Sequence, residues 1–281
     1  MNEADFSDAV LVVLGHGTEL NEKSSAPVFQ HVAELRSRRL FREVREAFWK
    51  QEPQIKSVLA ALSAPRVFIA PLLISEGYFA SEVIPQKLGF NYPDRLRLKT
   101  QHSELLYCRP IGSHAGMTKV ILSRAVTITR LFPFPRLPKP EETTLFIAGH
   151  GTEKNAGSRQ VIEWQAELIR AQGLYASVQP VFMEEEPRIA GCHVLAPTKK
   201  CVVVPFFISD GLHVVEDIPV LLGESERIVK IRLAAFQPPW RNPTEIHGKL
   251  FWYSASVGTE PSLADVILER VAEAAKMQDG K

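Results

Sequence analysis

A histidine lies five residues after the end of a long apolar run in the second half of the chain. Residues 202–208 are apolar with little alternation, a pattern typical of a strand buried on both faces. A turn of Ser209, Asp210 and Gly211 ends this run, and His213 comes next, where a helical pattern begins. Ligands of open α/β sheets bind beyond the carboxyl ends of the strands, so His213 is a candidate for chemistry.

Two further histidines stand in the same kind of place. Short apolar runs at 10–14 and 145–148 both end in the tetrapeptide Gly-His-Gly-Thr, which places His16 in the first half and His150 in the second. At the same spacing, Phe48–Pro53 matches Phe182–Pro187 and Pro71–Pro85 matches Pro205–Pro219. Three blocks in one register indicate an internal duplication.

The two copies differ at the positions that carry chemistry. The second copy has two histidines and a glutamate where the first has a histidine, a phenylalanine and a lysine: His150, His213 and Glu184 against His16, Phe79 and Lys50. Two imidazoles and a carboxylate can bind Co²⁺, Fe²⁺, Ni²⁺ or Zn²⁺. An ammonium group repels such a cation and a phenyl ring cannot ligate it. The sequence therefore predicts one active metal site, in the second copy, and a degenerate site in the first.

Each copy alternates strands and helices, which predicts an α/β fold with a four-stranded parallel sheet and helices on both faces. The predicted strands lie near 10–14, 44–49, 67–73 and 104–109, and near 144–148, 177–182, 201–208 and 250–255. Residues 133–140 hold four prolines and read as a stiff linker. We therefore predict domains at 1–132 and 141–281. The second has about twelve extra residues, expected in the loop around 238–243.

Composition excludes several classes of function. The formal net charge is +1 and no dense Lys/Arg run occurs, so neither nucleic acid nor a membrane surface is an expected partner. No apolar stretch approaches the roughly 20 residues that span a bilayer. Three scattered cysteines and an acidic start favour a cytoplasmic setting. The Gly-x-Ser-x-Gly elbow of serine hydrolases is absent, and no arginine adjoins His150 as a histidine phosphatase would need.

The Gly-His-Gly-Thr tetrapeptide, the acidic residue two positions after Phe182, and the block Pro205–Pro219 resemble the sirohydrochlorin chelatase family. These are the small class II tetrapyrrole chelatases of cobalamin and sirohaem synthesis. The resemblance implies two tandem flavodoxin-like, chelatase-like domains facing each other across a cleft. It also implies insertion of Co²⁺, or next Fe²⁺, into sirohydrochlorin or a related tetrapyrrole. By position, His150, His213 and Glu184 would hold the metal and carry out catalysis.

The remaining substrate contacts are predicted more loosely. Glycines beside the histidines let backbone approach a large flat ligand, so Gly149, Gly151 and Gly211 are candidate substrate-binding residues, with His16. The carboxylates of the tetrapyrrole need donors, and Arg159 or Arg188 could supply charge.

Several alternatives stay open at the level of sequence. Glu184, Glu185 and Glu186 are adjacent, and the sequence does not decide which faces the site. Three acidic residues could orient His213 or cap its helix, namely Asp210, Glu216 and Asp217. Trp240 is expected to pack, or to cover the cleft. The remaining histidines considered, His102, His114, His193 and His247, are interpreted as surface or loop residues.

The metal is a substrate in this interpretation, so no tightly bound cofactor is expected. The same ligands could instead serve a non-catalytic metal or tetrapyrrole carrier. Two fused copies could form a self-sufficient monomer, and neither the metal nor the exact tetrapyrrole follows from the sequence.

Overall fold

Two compact units make up the computed structural model, which describes residues 5–18, 24–151 and 156–277. Each unit contains a five-stranded sheet. The strands of the first sheet are β1 (Ala9–Gly15), β2 (Glu43–Phe48), β3 (Arg66–Pro71), β4 (Arg97–Lys99) and β5 (Glu104–Tyr107). The strands of the second are β6 (Thr143–Gly149), β7 (Ser177–Phe182), β8 (Lys200–Pro205), β9 (Thr244–Ile246) and β10 (Lys249–Tyr253).

The strand orders are β2-β1-β3-β5-β4 and β7-β6-β8-β10-β9. The first four strands of each order are parallel, which confirms the predicted α/β class. The short edge strands β4 and β9 pair antiparallel, and they extend each predicted four-stranded sheet to five. They were not predicted because three residues are too few to show a period.

The helices alternate with these strands as expected. They are α1 (Ala26–Ser37), α2 (Ile55–Ala60), α3 (Ile84–Leu88), α4 (Met117–Leu131), α5 (Ala156–Arg170), α6 (Cys192–Leu195), α7 (Ile218–Leu221), α8 (Glu226–Ala234) and α9 (Leu263–Lys276). Helix α8 was not predicted. It lies ahead of the 238–243 loop, so the extra residues of the second copy form a helix as well as a loop.

The compact units do not coincide with the predicted domains 1–132 and 141–281. Helix α9, from the end of the second copy, packs on β3 and β5 of the first unit, whereas α4 packs on β8 and β10 of the second. The duplicated sequences and the compact units therefore divide the chain differently. An amphipathic helix pattern states which face is buried but not which sheet covers it.

Helices α4 and α9 each have an arginine that donates a hydrogen bond to a backbone carbonyl of the unit on which the helix packs. Arg124 of α4 donates from Nε to the carbonyl oxygen of Ser256 (2.9 Å), and Arg270 of α9 donates from Nε to that of Pro110 (3.0 Å). Burial lowers the pKa of Arg124, an effect that nearby Glu260 opposes. Arg270 is almost fully buried. The same bond is thus made in each unit by a helix from the other copy.

The central strands of both sheets are fully buried, as their unalternating apolar sequences predict. All seven residues of β1 and all seven of β6 are buried. Parallel strands covered by helices on both faces require such sequences. No helix in the described ranges is long and apolar enough to cross a membrane.

Candidate metal and tetrapyrrole site

The second sheet places His150 at the carboxyl end of β6, an interior strand between β7 and β8. Strand β6 ends at Gly149, and His150 is the next residue, half-buried. Gly151 follows with φ +63°, and a Cβ there would lie 2.6 Å from Cβ of Phe182. A Cβ on Gly149 would lie 2.0 Å from Cδ1 of Ile162. A side chain at 149 would have to displace the end of Ile162, and the left-handed backbone at 151 favours glycine there in addition to the close contact. Thr152, which ends the tetrapeptide, lies outside the described residues.

His213 begins a π-helical turn that runs from His213 to Asp217, at the carboxyl end of β8. The carbonyl oxygen of Gly211 accepts bonds from the N–H groups of Val214 and Val215 and so starts the turn. The Ile218 N–H reaches back five residues to the carbonyl oxygen of His213. Proline follows at 219, where an ordinary α-helical bond could not form. The π-helical turn is thus explained by the residues in and beside it. Such turns are frequent at functional sites.

The structure brings the rings of His150 and His213 together. Their centroids are 5.0 Å apart and their planes meet at 83°. Bonds from one metal ion to two imidazole nitrogens measure about 2.0–2.1 Å each, so rings this close can share an ion. Both side chains keep solvent access, with 35% of His150 and 49% of His213 exposed. A cation can therefore reach the pair from outside.

Asp217 orients His213. Its Oδ2 lies 2.6 Å from Nδ1 of His213, four residues earlier in the same turn. An ionised carboxylate can only accept, so the proton sits on Nδ1 and the lone pair of Nε2 is left for a metal. The first copy has Val83 at this position. Asp210, also considered for this role, instead accepts bonds from the Ser256 N–H (2.7 Å) and the Thr259 hydroxyl (3.3 Å).

Of the three adjacent glutamates, Glu184 is the one beside the histidines. Its Oε1 is 3.9 Å from Nε2 of His150, and its N–H donates to the His150 carbonyl oxygen at 3.2 Å. Glu185 pairs with Arg159 at 3.0 Å, and Glu186 pairs with Arg188 at 3.4 Å. The sequence could not separate these three residues. The pairing of the other two leaves Glu184 as the candidate carboxylate.

The site is a histidine pair with a nearby carboxylate, and not a closed cage. Within residues 5–18, 24–151 and 156–277, no three His, Cys, Asp or Glu side chains converge closely enough to hold one ion. The role of Glu184 as a metal ligand therefore stays a prediction. A pair of imidazoles leaves most positions around a cation open to water or to another ligand.

Two predicted accessory residues have other contacts. Arg159 lies over the ring of Phe182, with 5.1 Å between its guanidinium carbon and the ring centroid. Bonds to Glu185 and Glu163 raise the pKa of Arg159. Trp240 is buried and donates from Nε1 to the carbonyl oxygen of Phe251 (3.2 Å), so its indole packs in the second unit.

The first copy keeps the same geometry without the same chemistry. The rings of His16 and Phe79 have centroids 5.0 Å apart and planes at 88°. Nζ of Lys50 lies 5.5 Å from the Phe79 ring centroid. Burial lowers the pKa of His16; the bond to the Gly17 carbonyl opposes this shift, and the Lys50 ammonium adds to it. A single imidazole beside a cation and a phenyl ring is a poor metal site.

Comparison with known proteins confirms the internal duplication. A family model described as CbiX matches residues 10–128 and again 144–274, which together make up most of the chain. The chain belongs to the CbiX family. A probable sirohydrochlorin cobaltochelatase of Halobacterium salinarum is 39% identical over 278 residues, which cover 94% of this chain and 91% of that relative. The resemblance to sirohydrochlorin chelatases is thereby confirmed.

Solved structures show the same fold. A multi-domain protein of Deinococcus radiodurans, described as structurally similar to chelatases, superposes with a TM-score of 0.77 at 24% identity. That match covers 98% of this chain but only 56% of the larger protein. SirB from Bacillus subtilis, solved with Fe³⁺, gives a TM-score of 0.65 at 19% identity, with 96% of each chain covered. The two tandem chelatase-like domains predicted from the sequence are therefore confirmed as a fold.

Proposed function

We propose that the second copy inserts a divalent cation, Co²⁺ first and Fe²⁺ next, into sirohydrochlorin or a closely related tetrapyrrole. The product would enter cobalamin or sirohaem synthesis. The observation that carries the proposal is the His150–His213 pair, with ring centroids 5.0 Å apart at the ends of neighbouring parallel strands. In the first copy, His16 has the same ring geometry with Phe79, so the second imidazole is missing there.

The histidine pair suits a cation that must be delivered and then released. Two neutral imidazoles replace two waters of the hydrated ion, and the open positions remain for tetrapyrrole nitrogens. Asp217 keeps the Nε2 lone pair of His213 available by accepting the proton on Nδ1. As the four nitrogens bind the ion, the imidazoles are displaced and return to their starting state.

Two protons must leave when a neutral tetrapyrrole core accepts a divalent ion. The core loses two pyrrole N–H hydrogens and gains one M²⁺, so charge balances with two H⁺ released. Glu184 can accept one of them, since its carboxylate is more than half exposed and lies 3.9 Å from His150. From there the proton can pass to solvent or to a vacated imidazole.

We put cobalt ahead of iron because the Halobacterium relative, at 39% identity, is named a probable sirohydrochlorin cobaltochelatase. Iron comes next because SirB, a structural neighbour, has been solved with Fe³⁺ as well as with cobalt. Ligand chemistry alone does not separate the two ions, since imidazole suits both. No resident cofactor is part of the proposal. A cytoplasmic setting is proposed with it, supported by three free, buried cysteines.

A turnover assay tests the proposal. The chain, at about one-twentieth of the tetrapyrrole concentration, is incubated anaerobically with sirohydrochlorin and Co²⁺, Fe²⁺ or Ni²⁺, and the absorbance of the metallated ring is followed. We expect many turnovers per chain, fastest with Co²⁺. Metallation that stops at one ring per chain would instead indicate a carrier, and no acceleration over the protein-free reaction would refute the proposal.

A further inference from the structure

Two histidines that were interpreted from the sequence as surface or loop residues meet in the second unit. His193 lies on α6, and His247 lies in the turn between β9 and β10. Their ring centroids are 4.1 Å apart and their planes are tilted by 30°. Neither residue belongs to the His150–His213 site. The sequence did not predict this contact, because more than fifty residues separate the two histidines.

Both rings are held by short, well-anchored elements. Helix α6 is fixed by buried Cys192 and by buried Ala196 just after its end. His247 and Gly248 form the two-residue turn of a hairpin, with φ of +49° and +74°. Histidine, like asparagine and aspartate, is enriched among the residues other than glycine that adopt a left-handed backbone. The hairpin turn therefore holds His247 without difficulty, next to the glycine that such turns favour.

The ring nitrogens of both histidines are open to a ligand. Among the described residues, no hydrogen bond or ion pair uses a ring nitrogen of His193 or His247, and the ring of His247 is exposed. Lys249, two residues after His247, donates from Nζ to the carbonyl oxygen of Ala196. Imidazole nitrogens without a hydrogen-bond partner are suitable ligands for borderline divalent transition metals.

This pair lies at the opposite end of the second sheet from the candidate active site. His193 precedes the start of β8, and His247 precedes the start of β10, whose Leu250 pairs with Lys200. His150 and His213 follow the carboxyl ends of their strands. The six residues of β8 separate the two ends by about 20 Å, at about 3.3 Å per residue. An ion at one pair cannot touch the other.

We infer that His193 and His247 form a second cation site, in which the two rings turn out of their near-stacked arrangement so that one nitrogen of each binds a first-row divalent transition metal. Imidazole favours Cu²⁺, Ni²⁺, Zn²⁺ and Co²⁺, whereas Mg²⁺ and Ca²⁺ prefer oxygen ligands. The first copy has Leu59 at the position equivalent to His193, so the pair is specific to the second. The inference does not depend on the proposed chelatase reaction.

Cu²⁺ is the probe used in the test. Its electron paramagnetic resonance spectrum shows hyperfine splitting from bound nitrogens, which gives the number of imidazoles that bind the ion. The tag-free chain carrying His213→Ala is titrated with Cu²⁺ and compared with chains that also carry His193→Gln or His247→Asn. Asparagine tolerates a left-handed backbone, so the second variant keeps the turn. We expect affinity to fall at least tenfold in either variant, with loss of the two-nitrogen signature. His102→Gln, in the hairpin loop of the first copy, serves as the control and should change nothing.

The opposite results are equally clear. Unchanged Cu²⁺ affinity in both variants would overturn the inference, as would a two-nitrogen spectrum that survives them. If His193→Gln fails to fold, His247→Asn alone decides. Metal insertion by the chain carrying only His193→Gln should match that of the unmodified chain, so failure of this site and failure of the proposed function are distinguishable.

Discussion

The two copies of the duplicated sequence present the same ring geometry at the carboxyl ends of their sheets. In the second copy, His150 and His213 meet edge to face at 5.0 Å and 83°; in the first, His16 and Phe79 meet at 5.0 Å and 88°. Both second rings begin a π-helical turn of five residues. The geometry therefore belongs to the fold, and the chemistry belongs to the side chains placed on it.

Two further replacements accompany the loss of the second imidazole. Asp217, which orients His213, corresponds to Val83, and Glu184 corresponds to Lys50. An orienting carboxylate has no purpose without an imidazole, and an ammonium group beside Phe79 adds a repulsive charge for any cation. The comparison indicates that a metal site depends on the pair, its orienting group and its charge together.

The largest effect is expected from copying the first ring pair into the second. His213→Phe should reduce metal insertion more than about 100-fold, since loss of even an indirect partner of a metal ligand costs about 10–100-fold. The variant should still bind sirohydrochlorin, because the π-helical turn is formed with either residue. Anaerobic turnover and a tetrapyrrole binding titration measure the two properties.

The matched control for this substitution is His102→Gln. His102 is exposed and belongs to the first unit. The variant should turn over at the unmodified rate. Near-normal metal insertion by His213→Phe would remove the central distinction between the copies.

A smaller loss is expected when the orienting group is copied. Asp217→Val should lower the insertion rate by about 10–100-fold, because His213 loses the acceptor that fixes its proton on Nδ1. The insertion rate of Asp217→Asn should lie between that of the unmodified chain and that of Asp217→Val, since an amide oxygen can still accept that bond. The pH dependence of the insertion rate is measured as well, because a change in the orientation of the His213 imidazole alters that profile, whereas partial unfolding only lowers the amount of active protein. If both variants keep the profile and rate of the unmodified chain, Asp217 does not orient the metal ligand.

Two neighbouring glutamates test whether the negative charge of Glu184, which replaces Lys50 of the first copy, contributes to metal insertion. Glu184→Gln should slow insertion by about tenfold, at the low end of the range for general acid–base and outer-sphere contributions. Glu185→Gln is the matched variant, one residue away, and should leave the rate within about twofold while loosening the contact to Arg159. Equal losses in the two variants, measured by steady-state turnover, would show that Glu184 has no special position.

The smallest effect concerns His16. Its pKa is lowered from the ordinary value near 6.5, so the folded state takes up a proton at lower pH than the unfolded chain does. Stability is unaffected above pH 6.5 and falls as the pH drops below it, towards the folded pKa. Lys50→Met should raise the pKa of His16, as read from its imidazole proton shifts by NMR. A pKa that stays the same or falls would show that Lys50 does not act on this ring.

Much of this comparison was predictable from the sequence. The four parallel strands of each sheet follow from the alternation of strand and helix patterns, and the repeat spacing of 134 residues paired His16 with His150 and Phe79 with His213. Because parallel strands end at one edge, residues that follow them must lie close together. The contact of the two histidines required no more than this.

Other features could not be read in this way. The π-helical turn has the same apolar pattern as an ordinary helix, and the three-residue strands β4 and β9 have no pattern at all. Which sheet packs against α4 or α9 depends on residues far away in the sequence, among them the carbonyl groups bound by Arg124 and Arg270. His193 and His247 meet because helix α6 and the β9–β10 turn, which are far apart in the sequence, lie side by side.

The most direct test locates the cation. Crystals of the unmodified chain soaked anaerobically in Co²⁺ are measured at the cobalt absorption edge, and anomalous peaks are placed relative to the strand ends. We expect one ion between His150 and His213, about 2.0–2.2 Å from a nitrogen of each, and no ion between His16 and Phe79. An ion at the first copy's pair, or one bound by His150 without His213, would contradict a metal site made by the two histidines of the second copy.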